Sequence, residues 1–193
     1  MKRSGLDWTI FRPTFIHGPD SELIGQIRKM ATGDVAPWFV LPYFARMTDH
    51  EEGVILPRMS LDAATVQPVH IDDVVAAFAE SLSRPQSIGE IYNVVGGEKL
   101  DWRQTMEFLR DTLPNGDRSL TVIPVPATHA SMIAKVAGIF GMGSLLPFDE
   151  GQPHMMARDG DAELNKLKAH FGINPRPFRS SVKSYAEQIP ALV

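Results

Sequence analysis

Apolar residues follow one another almost without interruption in the stretch from Leu6 to Pro19. Within it, Trp8 to Phe11 combine aromatic and β-branched side chains, which is typical of a strand buried on both faces. Arg12-Pro13 is expected to end the strand, because proline has no N–H to donate. His17-Gly18-Pro19 predicts a turn before the next helix. Ligands of open α/β sheets bind just beyond the carboxyl ends of such strands, so the functional hypothesis rests on this loop.

Apolar residues at helical spacing predict six longer helices, over 20–32, 72–82, 101–113, 128–140, 164–171 and 182–189. Asp20 or Ser21 is the expected cap of the first, and Asp72 or Asp73 of the second. Asp101 with Gln104 three residues later forms a capping-box pattern.

The expected inward faces of three of these helices and the signals that bound the last elements follow directly from the same spacing. The inward-facing residues are Val74, Val75, Phe78 and Leu82 on the second helix, Trp102, Met106, Leu109 and Leu113 on the third, and Met132, Ile133, Val136 and Phe140 on the fourth. Asp149 with Gln152 is expected to open a further short helix, and Gly172 to end the helix over 164–171.

Only a few further strands are predicted. Ile91 to Val95 is expected to be a strand closed by Gly96-Gly97, and Leu120 to Val125 an edge strand limited by its prolines. The stretch from Asp34 to Val66 is expected to be irregular. Its dense aromatic cluster either covers a core or lines a pocket, and covering a core is the more common role.

Composition narrows the possible functions. The chain has 193 residues, 44% of them hydrophobic, a net charge of −4 and no cysteine. This charge argues against a nucleic-acid-binding surface, which is normally basic. Without cysteine there is no disulfide, thiolate metal site or cysteine nucleophile. No apolar run approaches a membrane span of about 20 residues. The residues after Lys2 and Arg3 do not form a clean apolar segment, so we do not expect a signal peptide. We expect a soluble cytoplasmic protein.

The number of strands is too small for a complete doubly wound sheet. A strand that is apolar on both faces needs neighbours on both edges, and this chain supplies too few of them. Either the chain pairs with another chain, or the first half of the domain is missing. The first case predicts self-association or a partner that completes the sheet, and an exposed edge also predicts marginal stability.

Four motifs resemble one known family. Ser4 to Pro13 with Ile16 to Pro19, then Pro68 to Val74, Ile91 to Gly97 and Phe171 to Phe178 resemble, in order and spacing, elements of the extended and atypical short-chain dehydrogenase/reductases. The nearest branch is that of NAD(P)-dependent epimerase/dehydratase-like proteins related to a complex I accessory subunit.

The resemblance implies an α/β fold. It is the C-terminal part of a Rossmann-like doubly wound domain with a mostly helical substrate-side lobe, and with the N-terminal half absent. The whole of 1–193 would then be one incomplete domain. Segments 1–33 and 67–113 would form its Rossmann side, and 34–66 and 120–193 its substrate side.

The resemblance also implies NAD or NADP as cofactor and a small-molecule substrate. Backbone groups after the Arg-Pro pair face the nicotinamide in this family, which corresponds here to Pro13, Thr14, Phe15 and Ile16. A plain strand-to-helix turn is the alternative. The substrate-side lobe would contribute Trp38, Phe39, Tyr43 and Phe148 to a pocket, together with the neighbouring Leu146 and Pro147.

The motifs that define cofactor binding and catalysis in this family are not found in the 193 residues. There is no Gly-x-x-Gly-x-x-Gly phosphate loop, and no tyrosine has a lysine four residues later. We therefore predict no catalytic residue in the chain. It would be inactive alone, as the C-terminal portion of a reductase or epimerase-like protein. The alternatives are a non-catalytic nucleotide-binding or assembly subunit, and an unstable product without activity.

Three polar positions allow more than one interpretation. Arg12 ends a buried strand and is expected to pair within the core rather than contact a substrate. His17 could act as an acid or base near neutral pH, but a solvated or structural histidine is more common. His70 with Asp72 and Asp73 suggests a metal site only weakly, because no third ligand stands at a suitable spacing. We predict no metal site.

Overall fold

The computed structural model describes residues 5–35, 39–50, 58–141, 146 and 148–189. Within them the chain forms two compact units. The first takes its described residues from 1–25, 66–99 and 160–193, and the second from 26–65 and 100–159. Segments far apart in the sequence therefore meet inside each unit.

The first unit contains two short parallel strand pairs. Strand β1 (Thr9–Pro13) pairs with β7 (Glu90–Val94), and β2 (Ile16–His17) pairs with β6 (Val69–His70). Among the described residues no other strand pairs with β1, so its second edge is open. This fits the predicted shortage of strands.

Strand β1 differs from its prediction in two respects. Thr9 to Phe11 are half-buried rather than buried, because only one neighbouring strand covers them. The ladder also extends past Pro13, since the N–H of Thr14 donates to the carbonyl of Val94 at 3.1 Å. Arg12 is exposed, so the expectation that it pairs inside the core is wrong.

Three α-helices complete the first unit: α2 (Ile71–Ser81), α6 (Asn165–Phe171) and α7 (Phe178–Tyr185), with single 3-10 turns at Pro85–Ser87 and Ala186–Gln188. Gly172 ends α6 as predicted, in the left-handed conformation at φ +70°. The core of the unit joins elements from all three segments: Val69, Val74, Ala77, Tyr92, Val94, Leu167 and Phe171.

The second unit contains a three-stranded mixed sheet. Its central strand β3 (Val40–His50) lies between β4 (Arg58–Ala63), which is antiparallel, and β9 (Thr121–Pro126), which is parallel. The edge position predicted for β9 is confirmed. The irregular structure predicted for 34–66 is wrong over the described part of that range. Proline at position 42 concealed a period-two pattern in which Leu41, Tyr43 and Ala45 are buried.

Three helices accompany this sheet: α3 (Trp102–Thr112), α4 (Ala127–Ile139) and α5 (Gln152–Met156). The capping box of α3 is confirmed, because Asp101 accepts the N–H of Gln104 at 2.7 Å while Gln104 accepts that of Asp101. The predicted apolar face of α3 is buried: Trp102, Met106, Leu109 and Leu113. A short helix follows Asp149 as predicted, and Asp149 accepts the N–H of Gln152 at 2.9 Å. However, α5 begins at Gln152 with Gly151 as its N-cap, so the capping pair predicted for Asp149 and Gln152 is wrong.

Helix α4 buries a different face from the one predicted, and α2 buries only Val74 of its predicted face. On α4 the large residues Met132, Ile133, Val136 and Phe140 are exposed, while Ala127, Ala130, Ser131 and Ala134 are buried. On α2, Val74 and Ala77 are buried, whereas Val75, Phe78 and Leu82 are largely exposed. Small residues let a helix backbone approach its neighbours closely, and that packing outweighs the simple apolar spacing.

The division into units also differs from the expected grouping. Residues 100–113 belong to the second unit and the described part of 160–193 to the first. Helix α1 (Glu22–Ala31) and strand β5 (Thr65–Val66) contain residues assigned to both, and β8 (Leu100–Asp101) begins the second unit's later segment. That 1–193 is one incomplete domain stays a prediction. Of the helices described, none is both long enough and apolar enough to cross a bilayer.

Candidate functional site

The two histidine motifs of the sequence meet in the first unit. Pairing of β2 with β6 places His17 opposite His70, with ring centroids 5.3 Å apart in an edge-to-face arrangement. Both residues contribute to the wall of a cavity of about 620 Å³, together with Arg176, Tyr185 and the residues that precede α1. The sequence analysis identified the two motifs but not their pairing.

His17 is fully buried and tied to the last helix. Its Nδ1 lies 2.9 Å from the hydroxyl oxygen of Tyr185, and its ring edge contacts Phe178. Burial lowers the pKa of His17 to about 3, with smaller contributions from His70 and Arg176. The ring is therefore neutral near pH 7 and out of reach of a substrate, so this geometry supports the structural interpretation rather than acid–base chemistry.

His70 is the N-cap of α2. Its Nδ1 accepts the N–H of Asp72 at 3.1 Å, so the expectation that Asp72 or Asp73 caps this helix is wrong. Nη1 of Arg176 lies 3.2 Å from the same nitrogen. Two donors converge on Nδ1, which therefore carries a lone pair, and the ring proton belongs on Nε2. Burial lowers the pKa of His70 and Arg176 adds to this, while Asp72 and Asp73 oppose it.

Arg176 joins the C-terminal part of the chain to the start of α2. Its Nη1 donates to Asp72 at 2.8 Å, its Nε lies 3.4 Å from Asp73, and its backbone N–H donates to Asp73 at 2.9 Å. These contacts raise the pKa of Arg176 and lower that of Asp72. Arg176 carries one positive charge against the two carboxylates of Asp72 and Asp73. The cluster therefore has no net positive charge with which to bind an anion.

The described residues contain no group of three or more histidine, aspartate or glutamate side chains that could hold a metal ion. Arg176 and Tyr185 did not emerge from the sequence as site residues. The available signal for Arg176 was its place in the motif from Phe171 to Phe178, whereas Tyr185 lies beyond that motif on the predicted helix over 182–189.

The segment proposed to face a cofactor, Pro13–Ile16, follows β1. The N–H of Thr14 donates to Val94, and the carbonyl of Phe15 accepts the N–H of Val69 at 2.9 Å. Two of the backbone groups of this segment are thus engaged within the unit. Contact with a nicotinamide ring stays a prediction.

Gln67 connects the carboxyl ends of both strands of the β1–β7 pair. Its carbonyl accepts the hydroxyl of Thr14 at 2.6 Å and the N–H of Gly96 at 3.1 Å. Its side chain donates to the carbonyl of Gly96 at 2.7 Å and accepts the N–H of Ala162 at 3.3 Å. One buried amide residue therefore holds the loops where a ligand of a parallel sheet would bind.

The glycine pair after β7 allows the backbone to approach closely. A Cβ atom at Gly96 would lie 1.8 Å from the carbonyl oxygen of Pro68, and one at Gly97 would lie 2.2 Å from that of Pro175. Because the obstructing atoms belong to the backbone, no side-chain adjustment can make room. These glycines are required by packing, whatever ligand the neighbouring loops bind.

The predicted substrate-pocket residues are not gathered at one place. Trp38 lies outside the described residues. In the second unit Phe39 is 73% exposed, whereas Tyr43 is buried, and burial raises its pKa. Phe148 packs edge-to-face on Phe44, with ring centroids 5.0 Å apart.

Phe148 also lines a cavity of about 770 Å³ in the second unit, together with Leu146 and residues of α4. Neither Phe39 nor Tyr43 is among the residues that line it. A substrate role for the predicted set stays a prediction.

Comparison with solved structures identifies the fold of this chain. No family model matches the chain, and no curated protein matches it. Among solved structures, the UDP-glucose 4-epimerase of Thermus thermophilus in complex with NAD superposes with a TM-score of 0.60 at 20% identity, over 98% of this chain and 48% of that one. A nucleoside-diphosphate-sugar epimerase of Staphylococcus aureus gives a TM-score of 0.60 at 16% identity, over 93% and 53%.

A third neighbour is the dTDP-glucose 4,6-dehydratase DesIV of Streptomyces venezuelae, solved with NAD and TYD. It has a TM-score of 0.57 and 20% identity, over 97% of this chain and 45% of that one. The chain shares the fold of the epimerases and dehydratases. It spans about half the length of these neighbours. The Rossmann-like α/β fold expected from the sequence motifs is confirmed.

Proposed function

We propose that the chain is the substrate-side, C-terminal portion of an NAD(P)-dependent reductase or epimerase-like protein, and that it does not bind the dinucleotide by itself. The observation that carries this proposal is the parallel pair β1–β7, whose carboxyl ends converge on Gln67 while the second edge of β1 is unpaired among the described strands. Such an edge accommodates further strands of a nucleotide-binding sheet.

The absence of a phosphate loop from the sequence supports the second part of the proposal. Dinucleotides are held mainly through a pyrophosphate at a glycine-rich turn and helix N-terminus, and the 193 residues contain no such motif. Pro13–Ile16 would contribute only contacts to the nicotinamide side. We place the substrate among small carbonyl, sugar-nucleotide or quinone-like molecules, and the protein in the cytoplasm.

Calorimetry on the purified chain tests this directly. Titration with NADH and with NADPH is expected to give no heat of binding at millimolar ligand, while circular dichroism establishes that the chain is folded. A dissociation constant in the micromolar range for either nucleotide would contradict the proposal.

A non-catalytic nucleotide-binding or assembly subunit is the second candidate, and the exposed apolar residues of α2 favour it. Val75, Phe78 and Leu82 are 57%, 51% and 91% exposed, and surfaces of this kind mark protein interfaces. Reading the coding DNA upstream of Met1 in frame separates the two. A phosphate loop followed by Tyr-x-x-x-Lys supports the enzyme, and a phosphate loop without that pair supports the assembly subunit.

A further inference from the structure

The last described stretch of the chain forms one wall of the 620 Å³ cavity. This C-terminal strap (residues 176–189) comprises Arg176, α7 and the 3-10 turn that follows. It supplies Arg176, Ser184, Tyr185 and Gln188 to the lining, and β2 and β6 supply His17 and His70.

Two histidine nitrogens take part in the polar contacts that join the strap to the rest of the first unit. Nδ1 of His17 pairs with the Tyr185 hydroxyl at 2.9 Å, and Nδ1 of His70 lies 3.2 Å from Nη1 of Arg176. Arg176 also contacts Asp72 and Asp73, and its carbonyl accepts the N–H of Gly97 at 3.0 Å. Arg179 adds an ion pair and a backbone hydrogen bond to Glu98. His70 is the less buried of the two histidines, 6% exposed against 0% for His17.

A proton on Nδ1 of His70 would alter three contacts together. The nitrogen would become a donor, so it could no longer accept the N–H of Asp72 and α2 would lose its cap. It would also face the guanidinium of Arg176, a like charge at hydrogen-bonding distance. Finally, the new imidazolium would compete with Arg176 for Asp72, whose Oδ2 lies 3.5 Å from Nδ1.

The other groups around His70 do not remove this conflict. Asp72 and Asp73 attract a charged His70, but both already bind Arg176, so an added cation shares their charge. On the remaining sides His70 contacts the neutral rings of His17 and Tyr185, which offer no counter-charge.

We propose that the C-terminal strap is an acid-released wall of this cavity, freed when His70 takes up a proton at Nδ1. The released state keeps the β1–β7 pair and loses the contacts of Arg176 and α7 with β2 and α2. Acid thus opens the cavity through local rather than global unfolding.

Hydrogen exchange followed by mass spectrometry tests the proposal on the full chain. Exchange is compared at about pH 7.5 and about pH 5, on time scales corrected for the intrinsic pH dependence of amide exchange. Protection of the amides in 178–189 is expected to fall about tenfold at the lower pH, since each unit below a pKa changes a proton-linked equilibrium by that factor. Amides of β7 (Glu90–Val94) are expected to stay better protected than those of the strap at both pH values.

His70→Asn is the decisive variant, because asparagine caps a helix equally well but takes up no proton. Its strap is expected to lose less protection between the two pH values than the strap of the unmodified chain. The exposed His154→Asn in the second unit is the matched control and is expected to behave like the unmodified chain. An unchanged strap in the unmodified chain, equal loss in His70→Asn, or a strap no less protected than β7 at about pH 5 would each overturn the proposal.

A titration of the unmodified chain gives a second test that does not depend on the variant folding. The midpoint of the His70 ring proton shift in NMR is expected to coincide with the midpoint at which strap protection is lost. Midpoints more than about one pH unit apart, a tenfold difference in proton affinity, would contradict control by His70.

Discussion

The two units are stabilised in different ways. Of the nine buried polar or charged residues among those described, six lie in the first unit: His17, Gln67, His70, Asp73, Ser87 and Ser181. The second unit contains Arg28, Thr105 and Ser131, and depends mainly on its mixed sheet and the apolar face of α3. Buried polar groups fix a single conformation where they keep a partner, as Nδ1 of His17 and the side chains of Gln67, His70 and Ser87 do.

This difference indicates where specific chemistry lies. The first unit specifies the geometry of strand ends through hydrogen bonds and close backbone contacts, as a binding site requires. The second unit tolerates more rearrangement, because apolar packing is less directional than hydrogen bonding. Substitutions of similar size should therefore have unequal consequences in the two units.

The largest effect is expected from Gly96→Ala. The new Cβ would lie 1.8 Å from a backbone carbonyl oxygen, so the strand ends of the first unit must separate. We expect a loss of more than about 3 kcal/mol in the free energy of unfolding, measured by urea denaturation. Gly25→Ala in α1 meets no atom within 4 Å and is expected to be neutral or stabilising by up to about 1 kcal/mol. Equal effects would refute the backbone argument.

Acid is expected to destabilise the first unit. The pKa of His17 is about 3 in the folded chain, against 6.5 for a free histidine. Between these values the unfolded chain binds more protons, so stability rises with pH and is lost as pH falls below 6.5. The free energy of unfolding changes by at most about 1.4 kcal/mol per pH unit. At pH 5 the loss is therefore roughly 2 kcal/mol. His17→Gln should flatten the dependence in urea melts, whereas His154→Gln should not.

Gln67→Leu is expected to cost about 1–2 kcal/mol, because it leaves the buried carbonyl of Gly96 and the N–H of Ala162 without their partner. Gln104→Leu removes an exposed capping contact of 3.4 Å in the second unit and should cost less than about 0.5 kcal/mol. Urea melts of the pair provide the measurement. A larger loss for Gln104 would reverse the contrast between the units.

The smallest effect is expected from Phe39→Ser, which removes a ring that is 73% exposed in the second unit. Surface substitutions of this kind change stability by less than about 0.5 kcal/mol, and thermal melts can verify this. A loss of several kcal/mol would mean that the ring is covered in solution, as the predicted pocket requires.

Local signals in the sequence were sufficient for much of the fold. The capping box at Asp101, the glycine after α6 and the strand closed by Gly96-Gly97 were all predictable, because each signal lies within a few residues of the feature it specifies. The strand β3 was not, because Pro42 argues against a strand locally and the pairing with β9 joins positions some 80 residues apart.

The site was harder to predict than the fold. The motifs around His17 and His70 were visible, but histidine is an unusual helix cap, so aspartate was the natural candidate for that role. Arg176 meets Asp72 across 104 residues of sequence, and no local pattern records such a contact. The predicted inward face of α4 was wrong, and that of α2 was right only at Val74, because small residues such as alanine, rather than apolar bulk, face the interior.

The arrangement of the first unit also sets the order in which it can form during synthesis. Tyr92 and Val94 pack against Leu167 and Phe171 in one core. At roughly 5–20 residues per second, the ribosome needs on the order of ten seconds to travel from the first pair to the second. Throughout that interval the nascent chain carries half of a core without its other half, and it is then most dependent on chaperones.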